Sequence, residues 1–296
     1  LTFAASTVGG NFAATATTGN MTDNGALTIA GTTTLTTSAN DATIALDTTT
    51  NAFTGAVTIT TNDSSGTDAD VTIDGGTTAL ILAASTIDGD LTVTNGNSIT
   101  DSGIVTVGGN LAATTDDNNG LINLGTLAVD GTVQLTTNGN GAATVVNDAG
   151  LTFAASTVGG ALNATATTGN MTDSGVLTIA GTSSFTTSAN NADITLNNVN
   201  ALTGAVTLST TGSTGHATID NGITAFNIAA SSVGGNLTLT SGNSITDSGT
   251  LTVGGNLAAT TDANNGLIDL GTLAVDGTVA LTTNGNGAAT VVNDAG

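Results

Sequence analysis

Residues 87–94 read IDGDLTVT, and the same grammar returns at 107–114 as VGGNLAAT: apolar, any residue, Gly, any residue, apolar, any residue, apolar, Thr. Alternation with a period of two sends Leu91 and Val93 to one side of an extended chain and Thr92 to the other. The Gly fits a corner or bulge, where either a positive φ or a close approach of two backbones is needed. The pattern occurs twelve times, with its glycines at Gly10, Gly31, Gly55, Gly89, Gly109, Gly131, Gly160, Gly181, Gly204, Gly235, Gly255 and Gly277. Thr closes eleven copies and Ser209 the twelfth. Successive glycines lie 20 to 34 residues apart. Repeats of this length with strand alternation mark a β-solenoid, because one coil cannot bury its apolar side alone whereas stacked coils share a core. The fold class expected is therefore all-β, a β-solenoid of about twelve coils, with extra residues looped out at the corners. A β-sandwich or a hairpin meander is the rival, and neither explains a period kept twelve times.

A longer repeat encloses the short one. GNSITDSGIVTVGGNLAATTD at 96–116 returns at 242–262 with two changes, Ile104 to Thr250 and Val105 to Leu251. LTFAASTVGG opens both residue 1 and residue 151, and 105–150 differs from 251–296 at four of 46 positions. The chain thus reads as two copies of one unit, 1–150 and 151–296. VVNDAG precedes Leu151 and also ends the sequence, so the two units are expected to form one continuous rod cut from a longer array.

Composition narrows the function. Among 296 residues there is no Lys, Arg, Pro, Cys, Trp or Tyr, and the 22 acidic residues are all Asp. The long straight-chain helix formers are almost missing, whereas Thr, Val and Ile favour strands and Gly, Asn and Asp favour turns. A net charge of −22 with no cation to oppose it argues against nucleic acid and against anionic membrane surfaces. No run of 18 apolar residues is present, so no membrane insertion is expected. Polysaccharide cleavage on a β-helix calls for basic residues and aromatic platforms that this chain lacks, and an enzyme is not expected.

GNLTLTSGNSITDSGTLTVGGNLAATT at 235–261 resembles the repeats of filamentous-haemagglutinin-type adhesins and related giant bacterial surface proteins. The resemblance is compositional and spans the chain. It implies a right-handed parallel β-helix, secretion, and a stalk or fibre role at the cell surface, with no catalytic residue carried over. On this reading the chain is the shaft of an extracellular bacterial fibre, adhesin or surface coat. Its partner is itself, end to end or as part of a longer chain, or a host or neighbouring-cell surface.

Several residues could carry chemistry. Oxygen-rich clusters at Asp116–Asp117 and at Asp63, Asp68 and Asp70 suit calcium, which takes six to eight oxygens, and a calcium-dependent surface-layer module is the main alternative. Against it, the second unit has Ala263 in place of Asp117 and loses all three carboxylates of the other cluster. Turn aspartates in water are the simpler reading, and no cofactor is assigned. The TDNG and TDSG segments place Asp23, Asp101, Asp173 and Asp247 faithfully in both units, and a turn in which Asp binds nearby backbone N–H groups is favoured over a ligand site. His216 stands where the first unit has Asp70 and reads as a surface substitution. A third alternative, ice binding, needs Thr at one place in successive coils. The outward position of the glycine frame reads Ala13, Thr34, Thr58, Thr92, Ala112, Gln134, a broken ladder.

Overall fold

A computed structural model describes residues 1–62 and 68–294. The described residues form strands, turns and bends with no helix. The chain divides into two compact units, Leu1–Asp148 and Ala149–Gly296. In the first unit one face is a parallel ladder of Thr2–Phe3, Met21–Asp23, Ile44–Leu46, Val71–Asp74, Leu91–Asn95, Leu111–Asn118 and Thr132–Asn138. Its register runs Thr2, Thr22, Ala45, Thr72, Thr92, Ala112, Gln134, so turns take 20 to 27 residues. The second unit repeats this face from Leu151–Phe153 to Val279–Asn284, through Thr152, Thr172, Thr195, Thr218, Thr238, Ala258 and Ala280. Each unit is thus a parallel β-solenoid of seven turns among the described residues.

Fourteen turns against twelve motif copies has a simple cause. In the first three turns the glycine motif leads into a different face, formed by Phe12–Ala16, Thr33–Thr37 and Val57–Thr60. From Gly89 onward it leads into the first face, at Leu91–Asn95, Leu111–Asn118 and Thr132–Asn138. The motif therefore changes corner, and the turn containing Val71–Asp74 carries none. The second unit does the same around Ala217–Asp220.

This change of corner corrects the reading of the outward Thr positions. Ala13, Thr34 and Thr58 share one face, whereas Thr92, Ala112 and Gln134 share another. The true columns are longer. Thr15, Thr36, Thr60, Thr86 and Thr106 are successive partners in the first unit. Thr152, Thr172, Thr195, Thr218 and Thr238 are successive partners in the second.

The core follows the alternation. In Leu91–Asn95 the pattern is buried, exposed, buried, half-buried, buried. Leu, Ile, Val and Ala from successive turns fill the interior with Phe53, Phe153, Phe185 and Phe226, all fully buried. Burying each Leu, Ile, Val or Phe contributes about 1.5–3 kcal/mol, gained only because the next turn covers it. Phe3 and Phe12 meet edge to face at 5.3 Å. Some inward positions are polar, and at two of them, Thr33 and Ser183, the hydroxyl is buried without a hydrogen-bond partner.

The motif glycines serve the second of the two reasons open to them. Positive φ occurs at Gly76, Gly139, Gly212, Gly222 and Gly285, none of them a motif glycine. What the motif demands is close approach. Gly109 N–H donates to the Gly89 carbonyl and Gly131 N–H to that of Gly109, both at 3.0 Å. A Cβ on Gly131 would lie 2.7 Å from the carbonyl carbon of Gly109, and one on Gly89 would lie 2.6 Å from that of Ala69. Gly235, Gly255 and Gly277 stack in the same way, at 2.9 and 3.0 Å. Gly10, in the first turn, has nothing within contact distance of such a Cβ.

Candidate functional site

The polar side chains with the most defined geometry lie at the corners, where they tie one turn to the next. The TDSG aspartates are the clearest case. Asp101 Oδ1 accepts the Gly125 N–H at 3.1 Å, and Oδ2 accepts the N–H and Oγ1–H of Thr126 at 2.6 and 2.7 Å. Asp247 repeats this with Gly271 and Thr272 at 3.0, 2.7 and 2.6 Å. The structure places these donors one turn ahead, 24 and 25 residues on, which corrects the expectation of a bond within the local turn. Burial raises the pKa of Asp247, but the hydrogen bonds from Thr272 and Gly271 outweigh it and hold the carboxyl below its usual range.

The other two members of the set differ in a way that loop length explains. Asp173 accepts from the N–H of Asn197 and Asn198 and from Asn200 Nδ2. Asp23 accepts from Asn51 Nδ2 at 2.8 Å, and its Oδ1 is buried without a partner. The loop after Leu46 holds four residues before Asn51, whereas that after Leu196 holds three before Asn200. The extra residue carries the backbone donors away from Asp23.

A second set of side chains forms a ladder at the corner entering the first face. In the first unit Asp70 Oδ1 accepts the Asp90 N–H, Asp90 Oδ1 that of Asn110, and Asn110 Oδ1 that of Thr132, at 2.8, 2.6 and 2.9 Å. In the second unit Asp193 Oδ1 accepts the His216 N–H and His216 Nδ1 that of Asn236. Asn236 Oδ1 then accepts from Asn256 and Asn256 Oδ1 from Thr278, at 2.7 to 2.8 Å. His216 is therefore a working rung of the ladder, taking the part that Asp70 plays in the first unit.

The calcium candidates are not gathered by this arrangement. Asp63 lies outside the described residues. Asp68 and Asp70 precede the first face, whereas Asp116 and Asp117 lie on the far half of Leu111–Asn118, five and six residues beyond the position paired with Val71. The Asp70 carboxylate already holds the next turn. Among the described residues no group of three or more His or Asp side chains is placed to hold a metal ion. A different acidic corner does form in the first unit. Asp74 has its pKa raised, first by burial and then, against the Gly76 N–H bond that lowers it, by the charges of Asp116, Asp47 and Asp23.

Composition gave no warning of the buried polar groups. Asn51, Asn147, Asn200 and Asn221 are buried, and their Oδ1 atoms accept the N–H of Leu27, Val129, Leu177 and Leu202 at 2.7 to 2.8 Å. Their sequence signal is positional: NA before an apolar residue at 51 and 200, and VVND at 145 and 291. Inward Thr residues that directly follow a motif copy, such as Thr115, Thr137 and Thr261, donate to carbonyls four or five residues ahead and hold the bend. Asn119, Asn191 and Asn265 adopt φ of 65° at these bends.

These corner bonds repeat because the sequence repeats. Residues 1–60, 68–117, 140–209 and 214–270 match the pattern of a family described as repeats of unknown function (DUF5649). The chain belongs to the DUF5649 repeat family. No curated protein and no solved structure matches it. In this DUF5649 chain the recurring polar residues hold successive turns together, and the motif glycines let those turns approach.

Proposed function

We propose that this chain is a structural repeat segment, the shaft of an extracellular bacterial fibre, adhesin or surface coat of the filamentous-haemagglutinin type. The observation that carries the reading is the use to which recurring polar residues are put. Asp101, Asp247, Asp70, Asp90, His216 and the buried asparagines spend their hydrogen bonds on the neighbouring turn. A segment whose repeated residues serve geometry adds length by adding turns. The outward surface of Thr, Asn and Asp, with a charge of −22, keeps such a segment soluble and discourages lateral sheet pairing. The test is immunogold electron microscopy of intact producing cells with antibody to this chain. Gold on the outer surface without permeabilisation is expected, and label that appears only after permeabilisation overturns the reading.

A second reading, ice binding, gains support from the Thr columns. Thr15, Thr36, Thr60, Thr86 and Thr106 occupy equivalent places in five successive turns, the continuity that a flat ordered surface would need. Thermal hysteresis at millimolar chain decides it. A measurable freezing-point gap supports the reading, and a gap equal to that of a β-solenoid without Thr columns removes it.

A further inference from the structure

The corner ladders of the two units differ at two rungs, Asp70 against His216 and Asp90 against Asn236, and the first of these is an imidazole that can take up a proton. We propose that His216 is a pH-sensitive link, closed when its imidazole is neutral and open when it is protonated. Nδ1 of His216 accepts the Asn236 backbone N–H at 2.8 Å. It can do so only while Nδ1 carries a lone pair, which fixes the neutral ring as the Nε2–H tautomer. The ring lies against Gly235, where an added Cβ would sit 2.9 Å from the imidazole Cε1. The bond therefore depends on glycine at that corner.

Protonation turns Nδ1 into a donor facing a donor, and the Asn236 N–H loses its partner. The charged groups around the ring are few. From the preceding turn Asp193 reaches the backbone of His216, with Oδ1 accepting its main-chain N–H at 2.7 Å. The stretch of the following turn that pairs with this strand, 234–241, carries no titratable residue, and on the strand of His216 itself the titratable neighbour is Asp220. In the first unit the equivalent N–H is accepted by a carboxylate oxygen of Asp70 and not by an imidazole. Acidification thus loosens one corner of the second unit and leaves its counterpart in the first unit closed.

The experiment is nitrogen-15 NMR on the whole chain between pH 7.5 and pH 5. At pH 7.5 the imidazole shifts are expected to report the Nε2–H tautomer. Between the two pH values, hydrogen exchange at the Asn236 amide, corrected for its intrinsic pH dependence, is expected to rise about fivefold, the value of one lost hydrogen bond. His216→Asn places the residue of the next two rungs, Asn236 and Asn256, at this position and is expected to abolish the rise. His216→Asp restores the first unit's residue and serves as the second variant, with the same expectation. An Nδ1–H tautomer at pH 7.5, or an equal rise at Asn236 in wild type and either variant, overturns the proposal.

Discussion

Replacing Asp247 by Asn removes one charge and keeps the size of the side chain. The carboxylate accepts three hydrogen bonds from two residues of the next turn, at 2.6 to 3.0 Å. A hydrogen bond to a charged acceptor contributes about 1.5–3 kcal/mol when buried. This corner is largely open to water, where such interactions fall to about 1 kcal/mol or less. The three donors are also linked and do not add. Together these limits give a loss of about 1–2 kcal/mol, since Asn keeps one acceptor oxygen but turns an amide donor toward another donor. The assay is amide exchange at Gly271 and Thr272, which should quicken about fivefold to thirtyfold at pH 7. Gly125 and Thr126, bonded to Asp101, serve as the internal control and should not change. Because the folded pKa of Asp247 lies below its unfolded value, its contribution is complete above the ordinary Asp range, near pH 4. It disappears as the pH falls through the folded value. The gap between variant and wild type should therefore narrow as the pH falls below the ordinary Asp range. No gap at pH 7, or a gap that does not narrow on acidification, would refute the reasoning.

Four further outcomes follow from the same bonds. Gly131→Ala, with its Cβ 2.7 Å from the Gly109 carbonyl carbon and from Asn110 Oδ1, should destabilise the chain by at least about 2 kcal/mol in urea unfolding. Thr33→Val removes a buried hydroxyl that has no partner and should raise stability by about 1 kcal/mol. Asn221→Ala leaves the Leu202 N–H without its acceptor and should cost about 2–4 kcal/mol by the same measurement. Asp74 carries a raised pKa, so its ionised form opposes folding at neutral pH and its stabilising share is present only at low pH. Asp74→Asn keeps an acceptor for the Gly76 N–H, bonded at 2.7 Å, and should raise the melting temperature at pH 7 but not at pH 3.

Alternation made the strands legible. Leu91 and Val93 are buried and Thr92 is exposed, as a period of two requires. The glycine motif made the stacking legible as well, because a residue without Cβ at one recurring place implies that something lies close. Which face the motif serves was not legible. Its move from the face of Val57–Thr60 to that of Leu91–Asn95 is hidden in a 34-residue gap, and local pattern does not say how many corners a gap contains. The corner side chains stayed hidden for a related reason. Asp247 bonds residues 24 and 25 positions away, and His216 one 20 positions away, so their roles belong to the register and not to the neighbouring sequence. Asn221, polar and fully buried, looks like any turn residue until the strand beside it is known.

Register is the central claim, and the absence of cysteine makes it directly measurable by paired cysteine substitution. Thr72 and Thr92 are partners on adjacent strands, at the spacing of about 4.8 Å expected between strands, within disulfide reach. Thr58 and Thr92 are successive in the glycine frame, yet Thr58 pairs with Thr34 on another face. Under mild oxidation the Thr72→Cys/Thr92→Cys chain should form an internal disulfide and the Thr58→Cys/Thr92→Cys chain should not. Cross-linking of the second pair in place of the first would contradict the fold described.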